Sequence, residues 1–166
     1  MHALPEDIKK YQGRYDAGWE KIRETRYQKQ LGMGLIDPKW KLSPRDAEAW
    51  NDAKNKAWDI RNMEVYAAMV EAMDFHLGRL LGYLEQRGEY DNTIILFLSD
   101  NGPNPWVSED YPENRGSEWF AQFDNSFENI GHPNSHYAYG MGFGSACSGP
   151  LDLFKMTVGE GGIRSP

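Results

Sequence analysis

Asp100 and Asn101 set a carboxylate and an amide side by side, after the apolar run Thr93-Ile-Ile-Leu-Phe-Leu98 and Ser99 and before Gly102. Both side chains offer hard oxygen donors, the kind that Ca²⁺ and Mg²⁺ take. Asp-Asn-Gly is also good turn chemistry, so the three residues alone read more readily as an Asx turn, and the rest of the chain is needed to raise the metal reading. Further along, Lys155 precedes a glycine-rich bend carrying Glu160, Gly161, Gly162 and Arg164. An ammonium near a metal pair is a natural anion contact, a compact charge with three donors. The one thiol, Cys147, lies in Ser145-Ala-Cys-Ser-Gly-Pro150, and no G-x-S-x-G nucleophile elbow is present. Gly140-Met-Gly142-Phe-Gly144 lacks the preceding strand and the third glycine of a dinucleotide loop.

Elements must hold these residues in place. The β-branched and aromatic run 93–98 ends abruptly in polar turn residues and reads as a strand buried on both faces. Such strands are usually parallel, in an α/β sheet, with ligands at their carboxyl ends. The expected fold class is therefore α/β: a long helix, a core strand and a long irregular loop. Upstream, Ile60, Met63, Tyr66, Met73, Leu77 and Leu84 follow three-and-four spacing, which predicts a helix over 46–87 closed by Gly88. Ser43-Pro44 is its expected start, and Gly78 and Gly82, one turn apart, would admit a close neighbour. His76 within it reads as an ordinary helical side chain. Tyr11, Tyr15, Trp19 and Ile22 mark one face of an earlier amphipathic helix beginning near Pro5, interrupted by Gly13 and Gly18. No strand is visible before residue 60, so the partners of 93–98 must come from elsewhere. Residues 102–149 read as a long binding loop, whose aromatics (among them Trp106, Tyr111, Trp119, Tyr137, Tyr139 and Phe143) either line a pocket or form a small core.

The 166 residues are the size of one domain, with 40% hydrophobic and 13% aromatic residues and six Trp. That aromatic content is not a disordered composition, despite a mean hydropathy of -0.73. A net charge of -7 argues against nucleic acid or an anionic membrane as partner, but not against a small anion in a local cationic pocket. No apolar stretch is long enough for a membrane span.

Together these segments resemble the sulfatase family, arylsulfatases in particular. The resemblance runs through Glu64-Val-Tyr-Ala-Ala-Met-Val-Glu-Ala-Met-Asp74, Gly78-Arg-Leu-Leu81, Asp91-Asn-Thr-Ile-Ile-Leu-Phe-Leu-Ser-Asp100-Asn101-Gly102, and Lys155 through Glu160-Gly-Gly-Ile-Arg164-x-Pro166. The opening, with Pro5-Glu-Asp-Ile8, Tyr11, Gly13, Tyr15, Asp16 and Gly18-Trp19, resembles the region just after the family's histidine-bearing segment. The resemblance implies an alkaline-phosphatase-like α/β fold and cleavage of sulfate esters by a formylglycine made from Cys or Ser. It implies Ca²⁺, sometimes Mg²⁺, held in part by Asp100 and Asn101. Lys155 would contact the sulfate and help the bridging oxygen leave.

The departures are equally specific. Cys147 does not fit the Cys/Ser-x-Pro/Ala-x-Arg motif, since Gly149 and Leu151 stand at plus two and plus four. The family's early aspartate pair and its upstream Lys and His contacts have no counterpart. Residues 1–166 are thus expected to be a partial sulfatase catalytic domain, a middle fragment with about half the metal site and no nucleophile. The parent's partner would be a small-molecule sulfate ester. A phosphomonoester or phosphonate ester hydrolase on the same fold, and a non-catalytic binding domain, are the alternatives.

Overall fold

The computed structural model describes residues 1–106 and 117–164; Tyr111, Pro112 and Pro166 fall outside them. The longest element, α3, covers Lys56–Gln86. Its end is a Schellman motif: Gly88 at φ 68° lets its N–H reach Glu85 O at 2.9 Å and that of Glu89 reach Leu84 O at 3.0 Å. The start is later than Ser43 predicts. Ser43 is used as tertiary glue instead, its hydroxyl donating to Leu151 O at 2.9 Å and its carbonyl accepting from Arg23 Nη1 at 2.7 Å. A side chain committed to distant partners cannot cap a local helix.

The amphipathic N-terminal pattern divides in two, α1 (Pro5–Lys9) and α2 (Gly18–Gly32). Gly13 and Gly18, at φ 78° and 79°, turn the chain between them, and Gly13 N donates to Glu64 Oε1 at 2.9 Å. On α2 the buried stripe is Trp19, Arg23 and Tyr27, spaced one turn apart. Arg23 is tolerated there because its guanidinium bonds Ser43.

Within the segment expected to be irregular, Gly140–Ser148 forms a buried helix, called α5 after a short α4 (Ser117–Phe120). It lies against α2. A Cβ on Gly142 would come within 2.3 Å of the Trp19 ring, so the glycine permits the contact. Phe143, fully buried, meets Tyr15, Trp19 and Trp50 edge-on at 5.7, 5.8 and 6.3 Å. A second cluster joins Ile8 of α1, Val65 and Ala68 of α3, and Ile130. The aromatics of the loop mostly build cores. Trp58 of α3 meets Phe127 edge-on and Tyr137 at a tilt, and Trp119 meets Phe120 and Phe123 edge-on.

The expectation of a buried core strand is corrected. Among the described residues the chain is helical, with no strand and one isolated bridge, His2 to Gly131. Residues 93–98 leave the 3-10 turn Tyr90–Asn92 with extended backbone at Thr93, yet all are exposed, Ile94 at 89% and Leu96 at 81%. Side-chain propensity favours an extended backbone, but a sheet also needs a neighbour to take the N–H and C=O groups. No second described segment supplies one. Gly78 and Gly82 likewise face open space rather than a close neighbour. No described helix is long and apolar enough to cross a membrane.

One titratable group has a clear consequence for stability. Burial, then the charge of Glu48, pushes the Asp59 carboxyl in the first turn of α3 up to about 6. A carboxyl raised in the fold disfavours its ionised form there. Folding stability therefore declines as pH rises from about 4 through about 6 and stays reduced above. Asp59→Asn is expected to stabilise the chain at pH 8 by about 1 kcal/mol, after allowing for solvent screening and the lost first-turn dipole contact. At pH 4 it should change nothing. Paired urea titrations at the two pH values measure the difference.

Candidate functional site

The segment after the extended run is clamped to the glycine-rich bend. Gly102 N donates to Gly162 O, and Lys155 N to Pro103 O, both at 3.0 Å. The two backbones touch so closely that a Cβ on Gly102 would lie 1.7 Å from Gly161 O, and one on Gly161 2.3 Å from Asp152 O. These glycines are therefore a matched set: one motif's backbone lies on the other's. The last helix, α6 (Glu160–Ile163), closes the bend. Leu153 and Met156, either side of Lys155, adopt φ of 62° and 73°, rare for non-glycine residues. Asp46 Oδ2 anchors the loop by accepting from Leu153 N at 2.9 Å.

Asn101 and Lys155 both line a cleft of about 1080 Å³ between α2, α3 and this loop. The Asn101 amide donates to Gly102 O at 2.9 Å, which leaves its Oδ1 as acceptor. The Ser99 hydroxyl bonds Asn101 O at 2.8 Å and holds the turn. Asp100 is exposed and does not line the cleft. The structure thus brings two of the three sequence candidates together and sets the third beside them. Lys155 makes no ion pair with a described carboxylate. Among the described residues no group of three His, Cys, Asp or Glu could hold a metal. Asp100 and Asn101 have the right donor chemistry, but they offer two of the roughly six to eight oxygens that Ca²⁺ takes.

Cys147 also borders the cleft. Burial pushes its thiol above the ordinary range, against the pull of Arg26, so it stays protonated at neutral pH and is a poor nucleophile. Tyr15, beside it, is pushed up to about 12, mainly by burial. His76 lies away from the cleft, exposed on α3 and in contact with Arg79 at 3.2 Å.

Sequence reasoning missed other residues of the cleft lining. Arg26 and Lys29 of α2 face the cleft, and Trp40 stands at its edge with Arg164 over its ring at 5.3 Å. Tyr27 fixes that edge by donating its hydroxyl to Trp40 O at 2.6 Å. The only available signal was their place on the charged side of an amphipathic pattern, which any solvated face shares.

Comparison with known proteins bears on the whole arrangement. The sulfatase family model matches residues 1–137, a span that includes Asp100 and Asn101 and stops short of Lys155. An uncharacterized sulfatase of Schizosaccharomyces pombe is 41% identical over 171 residues, covering 100% of this chain and 31% of that protein. An arylsulfatase of Klebsiella aerogenes is 31% identical over 170 residues, covering 99% of this chain and 36% of that protein. An N-acetylglucosamine-6-O-sulfatase of Bacteroides thetaiotaomicron is 51% identical over 55 residues, 31% of this chain and 10% of that protein. The chain thus spans about a third of the length of the first two relatives. With matched motifs joined backbone to backbone and a family match over most of its length, the chain belongs to the sulfatase family.

Proposed function

We propose that these residues supply part of the sulfate-binding face of a sulfuric ester hydrolase, acting on small aryl sulfates. The observation that carries the reading is the shared cleft. Asn101 and Lys155 lie 54 positions apart in sequence (155 − 101) yet line one cavity, on segments bonded to each other. In this reading Asp100 and Asn101 give oxygen ligands to Ca²⁺, or Mg²⁺ in its place. The cation, when bound, neutralises charge on the sulfuryl oxygens. Lys155 holds its ammonium against the sulfate and stabilises the negative charge that develops on the bridging oxygen as the S–O bond breaks. The strained loop fixes where that ammonium sits, which limits reorganisation during the step. Tyr11, Tyr15 and Tyr66 along the cleft offer flat apolar surface to an aryl group. The formylglycine nucleophile comes from outside residues 1–166.

Two measurements test the proposal. In the intact sulfatase that carries these residues, Lys155→Met should lower kcat/KM for 4-nitrophenyl sulfate by about 10²–10³-fold. Unchanged turnover rejects the role of Lys155. Residues 1–166 alone should show no turnover and bind Ca²⁺ no tighter than about 1 mM, since most of the ligand shell is missing. Hydrolysis by that chain alone rejects the division of labour.

A further inference from the structure

The chain carries a net charge of -7, yet this cleft is lined by Arg26, Lys29, Lys155 and Arg164 along with the carboxylates of Glu71 and Asp74. Glu71 pairs at 3.2 Å with Lys10, which also pairs with Asp7 at 2.8 Å, and Arg164 pairs with Glu160 at 3.2 Å; Asp74 pairs with no described cation. The cations without a described carboxylate partner stand on different elements that line the one cleft: Lys155 on the bend, Arg26 and Lys29 on α2. Arg26 makes one long hydrogen bond, to Cys147 O at 3.4 Å. Most of its planar fork of five donors is therefore uncommitted. Its charge is felt by Tyr15, Tyr66 and Cys147, groups from three different segments of the cleft wall. The guanidinium is exposed to solvent yet lines the cavity.

From this we infer that Arg26, backed by Lys29, is a second anion subsite in the cleft that Lys155 also lines, and that the ligand is a compact dianion with two separated acidic groups. The inference rests on the proposed function for the first group, the sulfate at Lys155. It adds a second, a sulfonate, sulfate or carboxylate that takes the Arg26 fork in bidentate fashion. The tyrosines that line the same cleft, Tyr11, Tyr15 and Tyr66, suit a ring that spaces the two groups.

Calorimetry on the 166-residue chain at low salt decides it, with benzenesulfonate and 1,3-benzenedisulfonate as probes and 4-sulfobenzoate to tell a carboxylate from a second sulfonate. The disulfonate should bind at least tenfold more tightly than the monosulfonate, and added NaCl should erode that preference. Arg26→Gln should abolish the preference by weakening the disulfonate far more than the monosulfonate, and Arg26→Lys should keep part of it. Lys155→Met should weaken both probes by the same factor. Equal affinity for the two probes, no binding of either, or an Arg26→Gln loss that is the same for both overturns the inference. If Lys155→Met leaves both affinities unchanged while Arg26→Gln still removes the preference, the sulfate role of Lys155 fails and the Arg26 subsite stands.

Discussion

Gly102→Ala should lower the stability of the chain by about 3 kcal/mol and pull Asn101 away from Lys155. The added methyl would stand 1.7 Å from Gly161 O, a backbone atom that cannot rotate aside. Overpacking of a tight site costs about 1–3 kcal/mol, and here the obstacle is a main-chain carbonyl whose own loop is tied to Asp152 and Asp46. The two segments must separate, so the Gly102-to-Gly162 and Lys155-to-Pro103 hydrogen bonds are at risk together. For a chain of this size the melting midpoint should drop by roughly 6–12 °C. Probe binding in the cleft should weaken as well, because its two walls no longer share a fixed spacing. A midpoint within 1 °C or so of the parent would mean that the two glycine motifs are not stacked as described.

Phe143→Ala is expected to cost more, about 4 kcal/mol. The ring is fully buried and sits among three aromatic edges, and its loss leaves a cavity that rigid rings cannot close. Against a typical total of about 5–15 kcal/mol, that is a large share of what holds the domain folded. Met141→Ala, two positions away on α5 but 47% exposed, should change stability by no more than about 0.5 kcal/mol. Denaturant midpoints for the pair separate burial from helix propensity, since both substitutions introduce the same residue into the same helix. Comparable losses in the two variants would show that α5 does not seat Phe143 in the core.

How far the fold could be read depended on whether its cause was local. The body and end of α3 were legible because three-and-four spacing persists over many turns and Gly88 meets the left-handed requirement of the cap. The start of α3 was not, because Ser43 spends its hydrogen bonds on Arg23 and Leu151 rather than on a helix. Helix α5 was hidden by its own composition. Glycines at 140, 142 and 144 argue against a helix, and what overrides them is the Trp19 ring, which only a residue without a side chain can approach. The run 93–98 has strand chemistry without a strand, because pairing is a property of two segments and the sequence of one says nothing of the other. Asn101 and Lys155 were joined by resemblance to a family and by no periodicity. Arg26 escaped notice because a cation's role depends on what faces it across a space, which residue types alone do not reveal.

The bare stretch from Ile94 to Leu98 also governs how the molecule behaves in a tube. Five adjacent greasy side chains with free amide edges make every encounter between two molecules an opportunity for irreversible sticking. Clouding should then scale with the square of protein concentration at early times, whereas unfolding proceeds at a rate independent of it. Because contacts of this type weaken on cooling, dilute solutions kept near 4 °C should stay clear longest.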